Sequence, residues 1–248
     1  MRFVLYNLRY GTGGKRRLPW SGYFGRTHEN LADIVGFFQS LDPDILGLVE
    51  VDAGSYRSRK KNQAETIADA LGHYHTYCSK YGDALPYRWV PVLNKQGNAF
   101  VSRDSTASET FHYFDRGMKR LVIELELENV VIFLVHLALS FRTRHHQLSD
   151  LYDLVKGTTK PHIVAGDFNA LWGDREVNLF LAATGLTNAN NGGLLSFPSW
   201  APKRQLDFVL HSAGIETVGF RIPRVPFSDH LPLVYDFTLA VTPGRPAT

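Results

Sequence analysis

The chain has 248 residues, of which 44% are hydrophobic and 21% are charged. This composition excludes a disordered or fibrous protein, and the length predicts one large domain or two small ones. The formal net charge of +3 is compatible with an anionic substrate but does not require one. The longest apolar run, Val130 to Val135, is far shorter than the roughly 20 residues of a membrane-spanning helix.

Cysteine content bears on the compartment. Cys78 is the single cysteine of the sequence. One thiol cannot form an internal disulfide or a cysteine-based zinc cluster. The first residues also lack the sustained apolar segment of a secretory signal. We therefore expect a reducing, cytoplasmic environment.

Short runs rich in Val, Ile, Leu and Phe alternate with amphipathic helical patterns along the chain. In chain order these predict a strand at 2–7, a helix at 31–38, a strand at 45–50, a helix at 64–71, strands at 98–103, 121–127 and 130–136, a helix at 148–155, a strand at 162–167, a helix at 177–184, and strands at 206–211 and 233–237. A turn at Glu128-Asn129 predicts an antiparallel hairpin. The pattern indicates an α/β protein with mixed, largely antiparallel sheet structure and helices on the outside.

The sequence contains no internal repeat with a period of 20 to 50 residues. Residues 1–240 are therefore predicted to form a single domain. Residues 241–248, which end in TPGRPAT, are predicted to be a flexible tail.

A polar residue capable of chemistry stands at or just beyond the end of one predicted strand after another. These residues are Asn7, Glu50, Asn98, His136, Asp167 with Asn169, and Asp207. Strand ends gather along the edge of a sheet, and ligand sites of sheet proteins are commonly built there. We expect these side chains to share one cleft.

The residues around these positions form a series of motifs. They are Tyr6-Asn7, Leu48-Val49-Glu50, Gly97-Asn98-Ala99, Val135-His136-Leu137, Gly166-Asp167-Phe168-Asn169, Gln205-Leu206-Asp207 and Ser228-Asp229-His230. In this order they resemble the endonuclease/exonuclease/phosphatase superfamily, which includes deoxyribonuclease I-like, exonuclease III-like and neutral sphingomyelinase-like enzymes. The resemblance covers almost the whole chain. It implies a four-layer α/β sandwich with two mixed, largely antiparallel sheets flanked by helices, and metal-dependent hydrolysis of a phosphate ester.

The resemblance also implies the metal and its ligands. Glu50 would be the first metal ligand, and Asn7 would hold either the metal shell or a phosphate oxygen. Asp229 would contribute to the metal site or to its surroundings, although a capping role at a turn is the alternative. Mg²⁺ is the expected ion, with Mn²⁺ as a substitute, because both accept hard oxygen ligands.

The remaining motif residues would act on the substrate. By resemblance, Asp167 orients or deprotonates the attacking water, and Asn169 donates a hydrogen bond to the transition-state oxygens. Asp207 and His230 match an Asp–His pair in which the histidine is either a general base or a cation against the phosphate. His136 matches a second histidine that hydrogen-bonds a non-bridging phosphate oxygen. Ordinary turns and strand ends are the structural alternatives for these positions.

Further basic, polar and aromatic residues are candidates for substrate binding. They are Arg9, Asn98, Lys119, Arg120, Trp172 and Trp200. Two basic clusters, at 57–61 and 142–146, follow the strands that end in Glu50 and His136. They would place positive charge at the rim of the cleft, where a polyanion could lie, or they are simply solvated surface residues.

Two departures from the superfamily pattern limit the choice of substrate. Arg9 stands where many apurinic endonucleases carry an acidic residue, and Pro198-Ser199-Trp200 is not followed by the Asp-Arg pair of inositol phosphatases. We expect a phosphodiesterase acting on DNA or RNA as an endonuclease or exonuclease. The alternatives are a phosphomonoesterase or a sphingomyelin-type lipid phosphodiesterase using the same site, and a catalytically inactive binding module.

Overall fold

The computed structural model describes residues 1–13, 30–79 and 95–240, and the predicted tail at 241–248 lies outside them. Twelve strands and four helices are present within these ranges. The strands are β1 (Arg2–Asn7), β2 (Ile45–Asp52), β3 (Tyr74–Ser79), β4 (Gln96–Ser102), β5 (Ser108–Tyr113), β6 (Leu121–Glu126), β7 (Val131–His136), β8 (His162–Asp167), β9 (Thr187–Asn188), β10 (Asp207–His211), β11 (Ile215–Arg221) and β12 (Leu233–Leu239). The helices are α1 (Leu31–Leu41), α2 (Gln63–Leu71), α3 (Phe141–Val155) and α4 (Arg175–Thr184).

The strands form two six-stranded sheets in the described part of the chain. The first has the order β11-β12-β1-β2-β4-β3, and the second has the order β5-β6-β7-β8-β10-β9. One neighbouring pair in each sheet is parallel, β1 with β2 and β7 with β8, and the other pairs are antiparallel. The sheets are therefore mixed and largely antiparallel, as predicted.

Three apolar cores hold these layers together. Side chains alternate across a strand, so in β1 Phe3 and Leu5 face the core between the two sheets, whereas Val4 and Tyr6 face the outer core under α1 and α2. A third core packs α3 and α4 against the outer face of the second sheet. The layer order is helices, sheet, sheet, helices, which confirms the predicted four-layer sandwich.

All eight predicted strands and all four predicted helices are confirmed. Most ends differ by a few residues, but α3 begins well before the predicted pattern, at Phe141. The predicted hairpin joins β6 and β7, and the amide of Leu127 donates to the carbonyl of Val130. The four strands that were not predicted, β3, β5, β9 and β11, are the four edge strands. Edge strands have one neighbour and often expose polar side chains, so they lack the apolar run that marks a buried strand.

None of the helices in the described part of the chain has the length and apolar character that crossing a bilayer requires.

Candidate active site

Strand ends from both sheets meet at one edge of the sandwich. In the second sheet, His136 pairs with Asp167 across β7 and β8, and Asp207 pairs with Asp167 across β8 and β10. This register lines up an imidazole and two carboxylates in one row. In the first sheet, Asn7 at the end of β1 lies beside Val49, the residue before Glu50. The predicted gathering of polar strand ends is what the structure shows.

Asp167 lies at the centre of this group. Its Oδ2 atom accepts a hydrogen bond from Asn7 Nδ2 at 3.0 Å, which joins the two sheets. The same oxygen is 3.5 Å from His136 Nε2 and 3.9 Å from His230 Nε2. Its Oδ1 atom accepts from the backbone N–H of Asn169 at 2.9 Å. One carboxylate is thus surrounded by donors from four separate segments.

Burial controls the charge of Asp167. The side chain is 2% exposed, and this burial raises the pKa of Asp167 to about 6, although the positive charge of His230 acts in the opposite direction. The neighbouring carboxylate of Asp207 raises this pKa further. Asp167 is therefore a carboxylate at neutral pH, with a pKa close to the range that suits a proton acceptor.

Asp207 and His230 form the predicted pair. His230 Nδ1 is 2.8 Å from Asp207 Oδ2, and the hydroxyl of Ser196 donates to the same oxygen at 2.6 Å. Burial alone would lower the pKa of His230, but the carboxylates of Asp207 and Asp167 outweigh it and raise this pKa to about 10. The ring of Phe197 packs against the imidazole at a centroid distance of 4.9 Å. His230 is thus held in place and positively charged at neutral pH.

Strained backbone places two of the site residues. Glu50 and Asn169 have φ angles of 56° and 51°, in the left-handed region that residues other than glycine seldom occupy. Glu50 sits in an irregularity of the β2–β4 pairing between Leu48 and Val51, and its N–H donates to Asn98 Oδ1 at 3.4 Å. Bulges and strained residues of this kind are common at functional sites because they redirect a side chain. The structure gives Asn98 a contact with the Glu50 backbone, whereas the sequence suggested a contact with substrate.

Lys119, which the sequence suggested as a substrate-binding residue, lies among the central residues of the site. Its Nζ atom contacts His136 Nε2 and is 3.8 Å from Glu50 Oε1. The side chain is 21% exposed. A cation therefore lies beside both His136 at the end of β7 and the carboxylate of Glu50 in β2.

Arg9 and Asp229 are paired with each other. Arg9 Nε is 3.3 Å from Asp229 Oδ2. Among the described residues, a group of potential ligand atoms within 4.8 Å of one another contains Asp167, Asp207 and His230 but not Asp229. Arg9, which stands where many apurinic endonucleases carry an acidic residue, thus has a carboxylate partner in Asp229.

The other predicted substrate contacts lie farther out or are engaged elsewhere. Arg120 Nε donates to the carbonyl of Phe114. Trp172 is 85% exposed, and Trp200 is 46% exposed. Trp200 lines a groove of about 200 Å³ together with Arg224.

One residue of the predicted basic rim is buried. Arg144, in the cluster at 142–146, is 1% exposed and forms two hydrogen bonds to Glu176, at 2.5 and 2.8 Å. The interpretation of Arg144 as a rim cation is wrong, because its guanidinium already neutralises a buried carboxylate. The cluster at 57–61 contains the exposed residues Arg59, Lys60 and Lys61.

Two residues of the site were not predicted. Ser196 orients Asp207, and Gln147 holds the segments around Lys119 and His136. Both are fully buried polar residues that act through other residues. Ser and Gln are common surface residues, and their burial arises from tertiary contacts, so the sequence carries no signal for either role.

The donor set fits a divalent cation. Glu50, Asp167 and Asp207 offer carboxylate oxygens, the hard ligands that Mg²⁺ and Mn²⁺ accept. Asp207 Oδ1 is buried and has no hydrogen-bond partner among the described residues, which is costly for an isolated carboxylate oxygen. The oxygen of Asn7 accepts from the N–H of Arg9 at 3.0 Å and retains a second lone pair. Asp167 and Asp207, whose ligand atoms lie within 4.8 Å of each other, could therefore hold a metal ion, and Asn7 beside Asp167 and Glu50 beside His136 offer further oxygens.

Comparison with known proteins identifies the family of the chain. Residues 4–230 match the model of the Endonuclease/Exonuclease/phosphatase family, and the chain belongs to that family. Members of the family are hydrolases that act on phosphate esters and generally use divalent metals. Among curated protein sequences, none is significantly similar to this chain.

Solved structures share the fold at low sequence identity. An endonuclease/exonuclease/phosphatase from Beutenbergia cavernae is 19% identical with a TM-score of 0.71, and the match covers 97% of this chain and 72% of that chain. A mannosyl-6-phosphatase from Bacteroides thetaiotaomicron is 13% identical with a TM-score of 0.72, covering 96% of this chain and 100% of that chain. The catalytic domain of human Nocturnin is 21% identical with a TM-score of 0.67, covering 96% of this chain and 94% of that chain.

Proposed function

We propose that the protein is a divalent-metal-dependent phosphodiesterase whose substrate is a nucleic acid. The observation that supports it is the convergence of Glu50, Asp167, Asp207, His136 and His230 at one edge of the sandwich. A buried carboxylate beside two imidazoles and a further acidic ligand can orient water and stabilise negative charge on a phosphate. The exposed aromatic rings of Trp172 and Trp200 favour a substrate with bases that stack.

Asp167 acts on the attacking water in this proposal. As a carboxylate at neutral pH it accepts a hydrogen bond from the water and then its proton. Asn7 and the backbone N–H of Asn169 fix its orientation at 3.0 and 2.9 Å. A divalent cation held by Glu50 and its neighbours would supply polarisation of the phosphate and of bound water.

His230 acts as a cation and proton donor, not as the base. An imidazole accepts a proton only in its unprotonated form, whereas the Asp207 carboxylate keeps His230 protonated at neutral pH. His230 therefore stabilises the charge that develops on the phosphate oxygens and can protonate the leaving oxygen. His136 donates to a non-bridging oxygen once that oxygen has taken over the Lys119 ammonium, which can only donate to His136 Nε2. Asn169 assists through its side-chain amide, one hydrogen of which is bonded to the carbonyl of Leu137.

The pH dependence of turnover follows from these assignments. We expect kcat to rise as Asp167 loses its proton, with a midpoint at or below about pH 6, because a bound metal ion lowers that pKa further. We expect kcat to fall again near pH 10, where His230 loses its proton. The measurement is the pH profile of kcat for the wild-type protein and His230→Gln. An ascending limb near pH 7 that disappears in His230→Gln would instead make His230 the base.

A metal and substrate screen tests the proposal. The full chain is freed of metal with EDTA and assayed with Mg²⁺ or Mn²⁺ against bis-p-nitrophenyl phosphate, p-nitrophenyl phosphate, DNA, RNA and sphingomyelin. We expect hydrolysis of the diester and of a nucleic acid, loss of both in EDTA, and recovery with either metal. Asp167→Asn, purified in parallel, controls for contaminating nucleases. Full activity in excess chelator would contradict the mechanism.

A phosphomonoesterase is the second candidate, and the position of Lys119 favours it. A monoester carries two negative charges, and Lys119, His136 and His230 together could neutralise them. Faster turnover of p-nitrophenyl phosphate than of the diester, with no action on DNA or RNA, would select this candidate.

A further inference from the structure

We infer that Lys119 is a catalytic residue, whose ammonium group holds a non-bridging oxygen of the scissile phosphate together with His136. This inference rests on the proposed hydrolysis of a phosphate ester and adds a specific cation to it. A lysine at the rim would only attract a polyanion and would affect binding. A lysine in the reaction centre would affect the chemical step.

The surroundings of the ammonium group support a place in the centre. Lys119 Nζ contacts His136 Nε2, and the His136 ring is itself 3.5 Å from Asp167 Oδ2. The distance of 3.8 Å to Glu50 Oε1 is longer than a charge-assisted hydrogen bond, which is typically about 2.7 to 2.9 Å. Glu50 therefore attracts the ammonium without saturating its three N–H donors. An anion that enters beside His136 meets the ammonium directly.

A buried glutamine fixes Lys119 and the segment after His136 relative to each other. The side-chain nitrogen of Gln147, in α3, donates to the backbone carbonyl of Lys119 at 2.7 Å and to that of Arg116 at 3.0 Å. Its side-chain oxygen accepts from the N–H of Ala138 at 2.8 Å. Gln147 is 0% exposed. One side chain thus ties the loop that carries Lys119 to the residues that follow His136.

The backbone of the loop is shaped for this contact. Gly117 has a φ angle of 101°, and a methyl group at its Cα would lie 2.8 Å from Gln147 Nε2. The N–H of Phe114 donates to the carbonyl of Arg120 at 2.8 Å, and Arg120 Nε donates back to the carbonyl of Phe114. The loop at 114–120 is therefore held at its two ends by the hydrogen bonds between Phe114 and Arg120, and in between by those from Gln147. It positions the cation before substrate arrives, which is the condition under which a charge stabilises a transition state most effectively.

The acidic residues of the site explain why a cation would assist the reaction. Asp167 and Asp207 have ligand atoms within 4.8 Å of each other, and Glu50 lies beside His136, so the acidic residues of the site repel an incoming phosphate. A fixed ammonium offsets part of this repulsion, and it faces oxygens on which negative charge is redistributed as the P–O bond breaks. Removal of one such donor in enzymes of comparable design typically lowers turnover by about 10² to 10³-fold.

The test compares Lys119→Met with Lys156→Met, which removes an exposed lysine at the end of α3. Steady-state kinetics of the metal-loaded full chain on bis-p-nitrophenyl phosphate should show a kcat about 10² to 10³-fold lower for Lys119→Met, with KM changed much less. Lys156→Met should match the wild type. Lys119→Arg, which keeps the charge, should retain more activity than Lys119→Met. Thermal melting of each variant shows that the fold is kept.

A second readout does not depend on turnover. Isothermal titration of the full chain with inorganic phosphate should give a dissociation constant at least roughly tenfold higher for Lys119→Met than for the wild type and Lys156→Met. If the wild type hydrolyses the ester and Lys119→Met keeps a kcat within about threefold, the role of Lys119 is overturned while the proposed function stands. If no phosphate ester is hydrolysed by the wild type, the proposed function fails, and equal phosphate affinities would then overturn the binding role of Lys119 as well.

Discussion

Replacing Asp167 with Asn, or His230 with Ala, should each lower kcat by about 10² to 10⁴-fold and leave KM nearly unchanged. Asn keeps the shape of Asp167 but cannot accept a proton from water. Ala at position 230 removes the cation that faces the phosphate. Both groups act on the transition state, so ground-state binding is affected little. The measurement is steady-state kinetics on the substrate that the screen identifies, with Asp33→Asn and His75→Ala as exposed controls.

The double variant distinguishes a cooperating unit from independent groups. Asp167 Oδ2 and His230 Nε2 are 3.9 Å apart and act on the same phosphate in one chemical step, so the double variant should lose less than the product of the two single losses. The melting temperature of Asp167→Asn should stay within a few degrees of the wild type or rise, because burial disfavours that carboxylate in the folded protein. His230→Ala should lower it, because the buried carboxylate of Asp207 loses its cation and keeps the hydroxyl of Ser196. Near wild-type turnover in either variant would make the residue structural.

Replacing Glu176 with Gln should have the largest effect on stability. The carboxylate forms two hydrogen bonds to the Arg144 guanidinium, which is buried and also donates to the carbonyls of Ala138 and Leu139 at 3.0 Å. The substitution leaves a buried charge without its counter-ion, which costs about 3 to 5 kcal/mol. For a chain of this size the melting temperature should fall by roughly 6 to 20 °C. Differential scanning calorimetry measures the change.

Two further variants sharpen the interpretation of this ion pair. Arg144→Met with Glu176→Leu removes both charges and should recover much of the lost stability, because paired burial of charge is itself expensive. Asp153→Asn, which breaks the exposed pair with Lys156, should leave the melting temperature within about 1 °C of the wild type. Equal melting temperatures for Glu176→Gln and the wild type would show that the pair does not stabilise the fold.

The fold could be predicted from the sequence to the extent that each element is buried. Strands such as β1 and β7 have apolar residues on both faces and stand out as short hydrophobic runs. The edge strand β5, with the sequence SETFHY, exposes nearly every side chain and has no such run. Its pairing with β6 is decided by the neighbouring strand, which a local pattern does not reveal.

The candidate site was predictable where a residue follows a buried strand. Asp167 and His136 could be placed together because strand ends meet at one edge. Arg144 could not be interpreted correctly, since its partner Glu176 lies on another helix and a basic cluster is ordinarily solvated. The position of Lys119 inside the site could not be predicted either, because it is fixed by a hydrogen bond from Gln147, which is distant in sequence. Contacts of this kind depend on tertiary structure and leave no trace in local spacing.

The position of β1 has a consequence for the order of assembly. β1 lies between β2 and β12, so the first sheet takes strands from both ends of the described chain, whereas the second sheet is built from the continuous stretch at 108–211. Pairings between distant segments form slowly because the chain must close a long loop first. The second sheet can therefore assemble while the first still lacks the pairing of β1 with β12. The bond from Asn7 to Asp167 spans both sheets, so during refolding the recovery of activity should lag behind the recovery of secondary structure.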